Sequence, residues 1–207
     1  MSQAQHKLWG AVSTEISQTF ASSVEKHQGA AYWVIDTESF DRHGVFRLAT
    51  QGYVSPAHED LEFPAMAAGS FEDGAWDERN GGAIMTFTLS GNGGPAGADN
   101  GGFYPSTAYG WVNSWSSGLM GSVVNIADLG QSPQDGFTEY AGYPGPTRPR
   151  WGDYSWAIWS DGRLYFATNY IQYPSCEPPE FTLTLATCGG TRDGNANWGT
   201  SVNYAIP

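Results

Sequence analysis

Lysine is almost missing from this chain: two Lys and seven Arg stand against 21 acidic residues among 207, for a formal net charge of −12. A surface of that sign repels phosphate backbones, so nucleic acid is not an expected partner. Long apolar runs are missing too. None approaches the ~20 residues that a membrane-spanning helix requires, and no membrane span is expected. No basic start followed by an apolar stretch opens the sequence, so no signal peptide is visible. Histidine is confined to His6, His27, His43 and His58, with no ligand-like spacing between any two. That pattern leaves no zinc-type site to expect. There is no Gly-x-Ser-x-Gly elbow for a serine esterase and no Gly-x-x-x-x-Gly-Lys phosphate loop.

What the chain does have is backbone punctuation and aromatic rings: 27 Gly, 12 Pro, nine Trp, eleven Tyr and ten Phe. Many turns and many β-favouring side chains argue for short strands rather than helices. One segment competes. Val12, Ile16, Phe20 and Val24 recur at every fourth position, but Thr14, Ser17, Thr19, Ser22 and Ser23 lower helix propensity there. The reading is a strand over 8–16 with a loop after it. The two cysteines, Cys176 and Cys188, enclose eleven residues flanked by Pro-Pro and Gly-Gly. The even count and secreted-type composition point to a disulfide between them. In the chain-entropy model such a bridge contributes roughly 3 kcal/mol.

Strand candidates fall into three groups. The first holds 8–16, 30–36 and 45–54. The second holds 63–68, 83–90, 104–112 and 120–126, and the third holds 154–159, 164–170, 181–186 and 198–205. The third contains the sharpest local signal. An aromatic run, Tyr154 to Trp159, leads into Ser160-Asp161-Gly162-Arg163 and then into an alternating run. Asp-Gly between such runs predicts a hairpin in which Trp159 pairs near Leu164 or Tyr165. Leu164, Phe166 and Thr168 should share one face, and Tyr165, Ala167 and Asn169 the other. The first group lacks an obvious innermost strand. The connections 70–82, 91–102 and 131–150 are long and polar, as functional or mobile loops are.

Leu8-Trp-Gly-Ala-Val-Ser, Tyr109-Gly-Trp-Val-Asn-Ser and Trp198-Gly-Thr-Ser-Val-Asn form a weak internal echo, about 90–100 residues apart. Arg150-Trp-Gly-Asp-Tyr-Ser, the Asp161-Gly162 turn and Leu164-Tyr-Phe-Ala-Thr-Asn-Tyr-Ile resemble one blade of secreted bacterial and fungal β-propeller proteins, often loosely labelled sialidase-like. Gln51-Gly-Tyr-Val, Phe63-Pro-Ala, Met85-Thr-Phe-Thr-Leu-Ser-Gly and Tyr104-Pro-Ser-Thr-Ala-Tyr resemble the preceding blade. Cys188-Gly-Gly-Thr-Arg with Asn197-Trp-Gly-Thr is similar to the family's usual chain end. The resemblance implies a secreted, all-β chain of about three propeller-like blades. Residues 1–207 would then be a single domain or the C-terminal part of a larger propeller. A β-sandwich or jelly roll is the alternative. Three blades do not close a ring, since propellers typically have four to eight. Self-association or a further portion that closes the ring is therefore expected.

Aromatic β surfaces beside acidic loops suit sugars, because rings stack on pyranose faces and carboxylates accept from hydroxyls. The expected ligand site is the Arg150, Trp151, Asp153 corner together with Trp111 and Trp115, since loops and strand ends carry binding groups. Trp156 and Trp159 read as core. For Asp153 the plainer role is to cap its own turn or pair with Arg150. The loop carboxylates Glu72, Asp73, Asp77, Glu78, Asp135 and Glu139 could supply the pair that glycoside hydrolysis uses, though none sits in a diagnostic context. A solvated acidic loop or a weak calcium site is the simpler reading of 72–78. No cofactor is called for. The function expected is binding of a polysaccharide or a protein partner. The alternatives are a carbohydrate-active enzyme using loop carboxylates and a structural segment of a larger β assembly.

Overall fold

A computed structural model describes residues 2–4, 6–20, 23–40, 43–69, 82–91, 102–113, 118–120, 124–132, 152–173 and 197–206. Every helix-or-strand element among them is a strand, so the fold is all-β. The first sheet runs β1 (Ser2–Ala4), β2 (Lys7–Phe20), β3 (Ser23–Phe40), β4 (Phe46–Val54), with β8 (Gly118–Met120) on its edge. The second runs β5 (Glu59–Gly69), β6 (Gly82–Gly91), β7 (Phe103–Asn113) and β9 (Val124–Asp128). The third is β10 (Trp156–Ser160), β11 (Arg163–Ile171) and β12 (Trp198–Ala205). Neighbours pair antiparallel except β4 with β8, and none of these sheets closes into a barrel.

The sheets stack in chain order, with the second in the middle. β5 packs on β1, β2 and β3 on one side and on β10 on the other, while β11 covers β6 and β7. This explains the sequence of β6. A strand buried on both faces reads as a nearly continuous apolar run rather than an alternation. Ala83, Met85, Phe87 and Leu89 meet Trp9, Tyr32, Val34 and Val54 of the first sheet in one core. Ile84 points the other way, into a smaller core with Ala67, Leu164 and Phe166. Full burial of a side chain such as Phe87 contributes about 1.5–3 kcal/mol.

The third sheet forms as the Asp-Gly signal predicts. Trp159 pairs with Leu164, and both turn residues have positive φ, 50° at Asp161 and 72° at Gly162. That is the type I′ geometry whose twist matches the flanking strands. Leu164, Phe166 and Thr168 are buried together on one face. Gly69 has a packing reason to lack a side chain: a Cβ there would sit 2.5 Å from Trp159 Cε3.

Several expectations need correction. The loop expected after residue 16 is strand, because Thr14 to Phe20 pairs with Ser23 to Gly29 in one long ribbon. The first sheet also has a strand outside the expected group, the three-residue β1 on the edge beside β2. The expected strand 120–126 is divided. Gly118–Met120 joins β4 in the first sheet and Val124–Asp128 joins β7 in the second. An apolar run specifies extended backbone, not the sheet edge it will join. Trp156 is not core: it is 53% exposed, on the outer face of the third sheet, whereas Trp159 packs inward. Alternation puts residues of even and odd number on opposite faces, and only tertiary packing says which face is covered. Residues 181–186, Cys176 and Cys188 lie outside the described residues. Among the described residues no helix is long and apolar enough to cross a membrane.

Candidate functional site: a polar cleft where the first two sheets meet

The β2–β3 ribbon places Glu15 opposite Gln28 and Ser13 opposite Ala30. Where this part of the ribbon meets the start of β5, a cleft of about 410 Å3 opens, lined by Ser13, Thr14, Glu15, Lys26, His27, Gln28 and Asp60. Each lining residue carries a hydrogen-bonding side chain. Two contacts fix the walls. The Gln28 amide donates to Asp60 Oδ1 at 2.6 Å, and the Phe63 amide donates to Ser13 Oγ at 3.2 Å. Lys26 Nζ donates to Glu15 Oε1 at 2.8 Å, and this hydrogen bond and the Glu15 charge hold the ammonium above its ordinary value.

β5 is irregular at this point. Its register with β6 shifts between Glu62 and Ala65, Phe63 has a φ of 54°, and Pro64 follows. Proline cannot donate to the ladder and is found at such bulges. Burial pushes the Glu62 carboxyl above its ordinary value, and the Asp60 charge adds to the effect. Glu62 thus holds its proton to higher pH than an exposed glutamate does.

Behind the cleft, His27 turns to the opposite face of the ribbon, the face of its pair partner Ile16. Its Nε2 lies 2.7 Å from Ser55 Oγ, with both residues buried. Gln18 Nε2 donates to the Ser55 carbonyl at 3.1 Å, and the His58 ring stacks on Phe20 with centroids 4.2 Å apart. His58 Nδ1 also meets Glu25 Oε2 at 2.8 Å. A serine beside a histidine is the pairing of a nucleophile and its base. Here Ser55 has no accessible surface. It reaches no substrate, and the pair anchors the 55–58 turn to the ribbon.

Of the site expected from sequence, Asp153 is exposed at the lead into β10. Gly152, with a φ of 80°, lies against the Phe63 ring and Asn169. The Phe63 ring thus faces the lead into β10, while its amide meets Ser13 of the cleft. Trp111 is half-buried against the core between the second and third sheets. Arg150, Trp151 and Trp115 lie outside the described residues, as do Glu72, Asp73, Asp77, Glu78, Asp135 and Glu139. Among the described residues no cluster of three or more His, Cys, Asp or Glu is placed to hold a metal ion. The cleft residues were missed by sequence reading because Ser13, Lys26 and Asp60 are far apart in the chain. Only the ribbon register and the position of β5 bring them together. Comparison with family models, with curated proteins and with solved structures finds no match.

Proposed function

We propose that the chain is a secreted, propeller-type binding module that takes a neutral, hydroxyl-rich ligand, a segment of polysaccharide, in the Ser13–Asp60 cleft. One observation carries the reading: Ser13, Glu15, Lys26, Gln28 and Asp60, a hydroxyl, two carboxylates, an ammonium and an amide, line one cleft of about 410 Å3. Sugars are recognised by such mixed donors and acceptors. The net charge of −12 argues against anionic ligands at the same place. The stacking of the sheets in chain order, with the first strands β5 and β10 side by side, supports the propeller reading. A Cys176–Cys188 disulfide belongs to the same extracellular reading.

Titration of a panel of neutral polysaccharides, followed by calorimetry, tests this. Binding should be weakened about tenfold or more by Asp60→Asn or Glu15→Gln, since each removes a charged acceptor. Saturable binding that both variants leave intact would place the site elsewhere. A second reading, glycoside hydrolysis, is favoured by one observation, the raised Glu62 carboxyl beside Asp60. Release of reducing ends from the same panel, abolished in Glu62→Gln, would establish it. A chain that binds without release is a binding module alone.

A further inference from the structure

Among the described residues, the stack has a covered middle and an outward face on each of its two end sheets. On the first sheet, the face turned away from the core carries Val12, Trp33 and Tyr53, with exposures of 49%, 37% and 48%. Register places them in adjacent rows: Gly10, Trp33 and Gln51 in one, Val12, Ala31 and Tyr53 in the next. On the third sheet, Trp156 shares a row with Ala167 and Val202, and Ile158 with Tyr165 and Tyr204. The Tyr165 and Tyr204 rings are 6.0 Å apart, and the Arg163 guanidinium already lies 5.0 Å over Tyr204. Isolated apolar residues on a surface are ordinary, but contiguous rows across three strands mark an interface.

We propose that two copies of this chain close into a ring of six sheets. The outer face of the first sheet of each copy packs on the outer face of the third sheet of the other. The intramolecular stack is the precedent, because the second sheet already has one face on the first sheet and the other on the third. The new contact continues that face-to-face order, third sheet to first sheet, across the copy boundary. Each copy presents one face of each kind, so this pairing covers both faces of both copies. Pairing like faces would leave half of the exposed rows in water. A head-to-tail contact of this kind gives a ring when its rotation closes and a filament when it does not. Three sheets from each copy make six, inside the four to eight that such rings contain.

Sedimentation equilibrium of the 207-residue chain, with light scattering, gives the readout. The expected mass is twice that of the 22.3 kDa chain. The melting temperature should rise with protein concentration, as it does when only the folded state associates. Trp33→Glu and Trp156→Glu should each weaken the dimer at least about thirtyfold, because each change breaks both contacts of the ring. A monomer at every concentration overturns the proposal, and so does open-ended assembly. A dimer lost in only one of the two variants means pairing of like faces and also overturns it. The concentration dependence of the unmodified chain decides the matter if a variant fails to fold.

Discussion

Trp9, Tyr32, Val34, Phe87 and Leu89 fill the space between the first and second sheets. Between the second and third, the buried hydrocarbon is smaller, and hydroxyls stand beside it. Thr88 Oγ1 donates to the Asn169 carbonyl at 3.0 Å and lies 3.1 Å from Thr168 Oγ1, which lies 2.7 Å from Ser155 Oγ. A hydroxyl has one hydrogen to give. With that of Thr88 committed to Asn169, Thr168 donates to Thr88 and Ser155 to Thr168. The run has one direction and links β6, β11 and the lead into β10. At the edge, Asp128 of β9 accepts from Ser201 and Asn203 of β12. Ser132 and Asn197 make a further tie, with Asn197 Nδ2 donating to Ser132 Oγ at 3.2 Å. The two interfaces differ in balance: hydrocarbon dominates the first, with the Gln28–Asp60 and Phe63–Ser13 bonds at its border, and hydroxyls weigh more in the second. Burial of hydrocarbon is strong but indifferent to small shifts, whereas directional bonds fix one alignment of the sheets.

The largest effect should come from the hydrocarbon side. Phe87→Ala leaves a cavity between the first two sheets and is expected to cost about 3–5 kcal/mol in denaturant unfolding. A cost below about 1 kcal/mol would mean that this interface is loosely filled. Next is Thr168→Val, which keeps volume but removes the middle of the hydroxyl run. Stranding its buried neighbours is expected to cost about 1–3 kcal/mol. If the contrast is right, amide exchange should speed up selectively in β10 and β11 while β2 and β3 stay protected.

Asp128→Ala is a milder test of the edge tie, at about 1 kcal/mol, because the carboxylate is only half-buried. It has a second readout. Burial, then the Asp128 charge, then Tyr173, hold the Tyr170 phenol above its ordinary value. Loss of Asp128 should bring Tyr170 part of the way down in an ultraviolet titration, with the burial contribution retained.

The smallest effect concerns Glu62, two residues after Asp60 on β5. Its folded-state pKa is raised, so the protonated form is favoured by folding. Its contribution is fully present below the unfolded value of 4.5 and is lost as pH rises through the higher folded value. Glu62→Gln should therefore flatten that part of the stability profile. It should also stabilise the chain more at neutral pH than at acid pH. Equal shifts at both would show that charge burial at Glu62 does not govern the profile.

The third sheet was the most legible part of the chain. Asp161-Gly162 supplies the two positive-φ positions that a type I′ turn needs, and the alternation from Leu164 onward fixes the inward face once register is set. Local chemistry was sufficient there. The ribbon of β2 and β3 was under-read, because Ser17 to Thr19 and Glu25 to Gln28 are polar and carry no burial pattern. They are strand through backbone pairing to each other. Trp156 was read inward because aromatic content marks strand but not face.

The sequence by itself determined an all-β chain, most of the strands of the three groups in their order, and the tight turn of the last hairpin. These follow from backbone and side-chain preferences acting over a few residues. Only the tertiary structure decided that the middle sheet is covered on both faces, that residues 118–120 cross to the first sheet, and that Ser13, Glu15, Lys26 and Asp60 meet in one cleft. Those outcomes depend on which sheet edges and faces come into contact. Contacts between residues tens of positions apart are set by the sum of burial and pairing over the whole stack, and no local segment carries that information.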